Sequence, residues 1–90
     1  MKVYVFMFKK FYVKNGVDYP MAIGNDDVKV FKKRNDAEIF SSEYFEEMKG
    51  FAGSNFLKQE VCEGYQVLFL KDGRRFVFEI IESELISNYL

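Results

Sequence analysis

The sequence predicts one small α+β domain over residues 1–90. It should hold an antiparallel sheet of four or five strands, one main helix packed on a face and a short C-terminal helix, in the order β-β-β-α-β-β-α. Three observations predict it. An apolar N-terminal run leads into an Asn15-Gly16 turn, a single amphipathic period occupies residues 35–49, and a second hairpin closes at Asp72-Gly73.

From Lys2 to Lys14 the chain is strand-like, with Val3, Val5 and Met7 alternating against Tyr4, Phe6 and Phe8. Both faces are apolar, which predicts a central strand covered on both sides, or one covered by a partner. Asn15-Gly16 suits a type I′ turn because both residues tolerate positive φ. The return strand is expected at Val17 to Ile23, with Pro20 forcing an edge position or a bulge because it has no N–H. Asn25-Asp26-Asp27 reads as a turn rather than a cation site, and Val28 to Phe31 as a third strand.

Asn35 is the expected start of the helix, with Glu38 three residues on in a capping-box spacing and Asp36 at the positive end of the dipole. At 100° per residue, Ala37, Phe40, Tyr44, Phe45 and Met48 share the face to be buried. Gly50 is the expected stop, and residues 51–57 are expected to form a loop anchored by aromatics. Tyr65 to Leu70 and Arg75 to Ile80 flank Asp72-Gly73 as a two-residue hairpin. That turn pairs Phe69 with Phe76, Val67 with Phe78 and Tyr65 with Ile80 on the core face. Ser83 to Leu90 reads as the terminal helix, packed by Leu85, Ile86 and Tyr89.

Composition excludes more chemistry than it suggests. Of the ninety residues, 49% are apolar and 30% charged, which is a globular balance. The longest apolar run, Val3 to Phe8, is too short to span a bilayer, which takes roughly twenty residues. The chain contains no histidine, tryptophan or threonine. Serine-histidine and cysteine-histidine nucleophile pairs are therefore absent, as are the usual Cys/His zinc sites. Phosphate-binding glycine loops are missing too. No cofactor or metal is expected, and an enzyme would have to work with carboxylates alone. The lone Cys62 permits no internal disulfide, fits a reducing cytoplasm and is expected to pack half-buried in a strand-like stretch. Phe, Tyr, Met, Ile, Asn and Lys total 41 residues against 13 for Gly, Ala, Arg and Pro, the usage of an A/T-rich genome.

Charge is segregated. Residues 1–34 carry a net +5 and residues 35–63 a net −5, and the helix alone holds five acids and one lysine. Ile39 falls opposite the core stripe, among Ser42, Glu43 and Glu46. These features predict a non-catalytic protein-binding module that occupies a surface of a larger protein partner. The binding residues are expected to be Ile39, Glu43, Glu46 and Glu47 on the helix, with Leu68, Leu70 and Val77 as a patch on the second sheet face. One concrete form is a phage or mobile-element protein that inhibits a host or defence factor. An alternative is a single-stranded nucleic-acid binder using Lys32, Lys33, Arg34, Arg74 and Arg75, although a pI near 5.4 opposes it. Another is a structural homo-oligomer that pairs the first strand or covers the sheet's outer side. The nucleic-acid reading requires retention on heparin at low salt that falls steeply as salt rises.

Overall fold

In the computed structural model, residues 1–21 and 27–84 are described. They form a six-stranded antiparallel sheet with one main helix on a face, a small α+β fold. The strands are β1 (Lys2–Lys14), β2 (Val17–Pro20), β3 (Val28–Phe31), β4 (Phe56–Cys62), β5 (Tyr65–Leu70) and β6 (Arg74–Glu84). The helix, α1, is Arg34–Ala52, and a single 3-10 turn at Gly53–Asn55 leads into β4.

β1 is the axis of the sheet. One edge pairs with β6 from Lys2↔Glu84 to Tyr12↔Arg74. The other edge pairs with β3 at Tyr4–Met7 and with β2 at Phe11–Lys14, so β2 and β3 lie end to end. The remaining order is β6-β5-β4, which leaves β4 at the far edge. With both edges of β1 engaged, the pairing of this strand with a second copy, expected of a homo-oligomer, has no edge to use. The β1–β2 turn is the expected Asn15-Gly16, with φ of 55° and 77° at its two residues, the signature of type I′. Pro20 ends the edge strand β2 and lies opposite Phe11, where its missing N–H interrupts no inner ladder.

The second hairpin differs from the expectation by one residue. Leu68 lies opposite Phe76, Val67 opposite Val77 and Gln66 opposite Phe78. The loop therefore holds three residues, Lys71, Asp72 and Gly73. Gly73 has φ 95° and donates its N–H to the Leu70 carbonyl at 3.2 Å. A type I turn followed by a positive-φ glycine closes a three-residue hairpin in this way. Because side chains alternate along a strand, the one-residue shift turns every residue of β5 over. Leu68 and Leu70 point at the helix and enter the core, while Tyr65, Val67 and Phe69 take the opposite face.

α1 also begins and ends away from its expected signals. Lys33, in extended conformation, occupies the N-cap without a side-chain hydrogen bond, and Asn35 sits inside the first turn. The capping box is not formed. Gly50 stays helical, and the helix stops at Gly53, whose φ of 54° suits glycine. Two extra residues, Phe51 and Ala52, are thereby helical. Residues 56 and 57, expected in a loop, open β4 instead. At the C-terminus, Ser83 and Glu84 continue β6 rather than starting a helix; the rest of that expected helix lies outside the described residues, as do residues 22–26.

The core is a layer of phenylalanines between α1 and the even-numbered side chains of β1 and β6. Phe6, Phe8, Phe45, Leu68, Leu70, Phe76 and Phe78 are buried in one cluster, rimmed by Phe31, Phe40, Tyr44, Met48, Ala52 and Phe56. Phe8 stacks on Phe78 at 4.9 Å, and Phe45 meets Phe78 edge-on at 5.1 Å. Such pairs contribute about 0.5–1.5 kcal/mol beyond the area they bury. The observed register predicts that Leu68→Ala costs about 2–5 kcal/mol in a denaturant melt. Tyr65→Ala should cost about 1 kcal/mol or less, because Tyr65 faces outward. The two-residue turn would reverse that ranking.

Candidate functional site

The outward side of α1 gathers exposed acids around one exposed isoleucine. Asp36, Ile39, Glu43, Glu46 and Glu47 recur at spacings of three and four residues, which places them on one stripe opposite the buried Ala37, Ser41 and Phe45. The four expected helix residues, Ile39, Glu43, Glu46 and Glu47, are thus brought together and are all exposed. Ile39 retains 49% of its surface and Phe51, on the added helical turn, 77%. At 1.5 Å and 100° per residue, these two apolar side chains lie roughly 18 Å apart along the axis and about 120° apart around it, so Phe51 stands off the acidic stripe, beside Met48 and Ala52. An expected stop at Gly50 leaves Phe51 out of the helix, whereas the helical period continued past Gly50 places it at the rim of the buried stripe.

The acids of this stripe differ from those of the sheet. Asp18, Glu60, Asp72, Glu79, Glu82 and Glu84 each have a cationic group within 4 Å. Among the described residues, Asp36, Glu38, Glu43, Glu46 and Glu47 form no ion pair. Glu43 also faces Glu46 and Glu47 at i+3 and i+4, where like charges destabilise a helix by about 0.2–0.5 kcal/mol per pair.

The second sheet face is not the open apolar patch expected. Leu68 and Leu70 are core residues, at 0% and 4% exposure. Val77 does lie on that face, half-buried across from Lys9. Charged stems lie over part of it: Arg75 sits 5.1 Å from the Phe11 ring while bonding Asp18, and Lys58 sits 4.8 Å from the Phe69 ring. Lys9 pairs with Glu79 at 3.2 Å between them. Long side chains with apolar stems and charged heads thereby screen this face from water.

The expected nucleic-acid residues are not brought together. Lys32, Lys33 and Arg34 follow Phe31, which pairs with Tyr4, whereas Arg74 pairs with Tyr12. Eight strand residues separate the groups by roughly 26 Å. Arg74 and Arg75 are also neutralised, by Asp72 and Asp18.

A half-open cleft of about 450 Å³ lies between the N-terminal half of α1 and the β4–β5 turn, lined by Glu38, Ser41, Cys62, Glu63, Tyr65 and Gln66 among others. Cys62 is in a strand as expected, but exposed rather than half-buried. A hydrogen bond with Cys62 and the electrostatic influence of that side chain, then desolvation and the Glu60 carboxylate, hold the Tyr65 phenol above its ordinary titration range. Among the described residues, no three potential metal ligands cluster, and no helix is long and apolar enough to cross a membrane.

Asp72 knots the loop beside Arg74. It accepts from the Arg74 backbone N–H at 3.0 Å, from Asn55 Nδ2 at 3.0 Å and from Arg74 Nε at 2.8 Å. These donors, the backbone one first, hold its carboxyl below the usual aspartate value. A depressed folded-state pKa contributes stability above the unfolded value, and that stability is lost as pH falls through the folded one. The melting temperature should therefore drop from about pH 5 downward. Asp72→Asn should melt lower at pH 7 and fall less steeply in acid, so that the two curves converge. No family model, curated protein or solved structure matches this chain.

Proposed function

We propose that this protein is a non-catalytic protein-binding module that engages a basic surface of a larger protein partner through the outward face of α1. The observation that carries the reading is a run of unpaired glutamates around the exposed Ile39 on the outward stripe of the helix. Unpaired like charges weaken the helix locally and add nothing to the core, so their use lies in the field they project. Such a field speeds encounter with a cationic partner and sets its orientation. Ile39 then supplies a desolvated anchor of the kind from which most binding energy derives. A phage or mobile-element protein that inhibits a host or defence factor by covering it is a version that fits the A/T-rich residue usage.

The test compares wild type with Ile39→Ser/Glu43→Gln, each immobilised and exposed to the same lysate of the source organism or its host. A partner of basic character should be held by wild type, released by salt, and retained at least about tenfold less by the double variant. The variant's melting temperature should stay within a few degrees, because both side chains are exposed. Equal retention by both proteins overturns the reading.

A further inference from the structure

We propose that the free edge of β4 is a self-pairing site, through which two copies of this chain join antiparallel about a two-fold axis at Gln59. The inference is independent of the partner surface on α1. β4 is the last strand of the sheet, and its outer backbone edge has no neighbour among the described residues. Such an edge is a template for another strand unless something blocks it.

The side chains choose both the occupant and the register. A two-fold axis perpendicular to the sheet keeps each residue on its own face, so opposed residues must share a face and the axis must pass through a residue. An axis through Lys58 sets two lysines against each other, and one through Glu60 sets two glutamates against each other; both arrangements are unfavourable. An axis through Gln59 sets Lys58 of each copy against Glu60 of the other, two opposite-charge pairs on one face. Beyond them, Val61 of each copy approaches Leu57 of the other, the residue at which the β4 bulge lies. These apolar side chains are now 65% and 55% exposed, and the charges are accessible at 59% and 52%. The five residues Leu57-Lys58-Gln59-Glu60-Val61 thus read the same in both directions by charge and polarity. A lone edge lysine ordinarily discourages pairing; the glutamate two residues on converts it into a specific contact. The bulge between Phe56 and Lys58 ends the regular stretch, so the ladder is short and the association weak, at the small end of interface sizes.

Sedimentation velocity at low salt tests this. Wild type should pass from monomer to dimer as chain concentration approaches about 1 mM. Lys58→Glu and Glu60→Lys should each weaken dimerisation roughly tenfold or more, because both attractive pairs become repulsive. An equimolar mixture of the two variants should dimerise like wild type, as should the Lys58→Glu/Glu60→Lys double variant, because each restores the opposition of unlike charges. Circular dichroism should show unaltered folds. A wild type that stays monomeric at 1 mM overturns the proposal. So does a dimer indifferent to either substitution, or single variants that do not rescue each other on mixing.

Discussion

The pairing of β1 with β6 is the constraint from which the rest of the structure follows. Its register sets Phe8 against Phe78 and Phe6 against Ile80, so the even-numbered side chains of both strands form one aromatic floor. α1 can seat Phe45, Tyr44 and Phe40 only on that floor. The opposite parity carries Val3, Val5, Met7 and Phe11 to the other face, which no described helix covers. One ladder thereby decides which side of the sheet receives the helix and which must be shielded by other means.

Those means are electrostatic. Lys9 with Glu79, Arg75 with Asp18, and Lys58 above Phe69 replace a second helical layer. Exposed ion pairs contribute little on their own, roughly 0–1 kcal/mol, but their stems remove apolar surface from water. The sheet thus consumes most of its acids in local pairing. α1 leaves its acids unpaired, and the asymmetry of the molecule lies in this difference between its two layers.

Much of this was legible in the sequence, and the failures share a cause. The Asn15-Gly16 turn, the central position of β1, the edge position of Pro20 and the buried stripe of α1 each rest on a local pattern with one good solution. The Asp72-Gly73 hairpin had two. Tyr65, Val67 and Phe69 make as plausible a core row as Leu68 and Leu70, so hydrophobic alternation could not choose between a two-residue and a three-residue turn. The choice falls to Phe76 and Phe78 in the next strand. Only the end of β4, around Cys62, reads as strand-like, because an edge strand with Lys58, Gln59 and Glu60 shows little alternation in polarity. At the helix ends, Asn35 and Gly50 are sound local signals that tertiary packing overrode, since continuing to Ala52 brings another small apolar residue onto the core. Of the candidate site, Ile39 and the glutamates followed from periodicity alone. Phe51 was hidden by the misplaced helix end, and Leu68 and Leu70 by the misplaced turn.

The two strands that meet at the centre of the sheet come from opposite ends of the chain. Met7 faces Glu79 across a sequence separation that places nearly the whole protein inside the loop they close. A chain growing from its N-terminus emits β1 first and its principal mate last. Tyr4 to Met7 can pair with β3 once Phe31 has emerged, but the edge that β6 takes stays open until translation is nearly complete. Long-range closure of this kind slows folding, and exposed strand edges invite aggregation in the interval. A transcript cut short before Arg74 would yield a polypeptide that lacks Phe76 and Phe78, and with them half of the aromatic floor on which the helix rests.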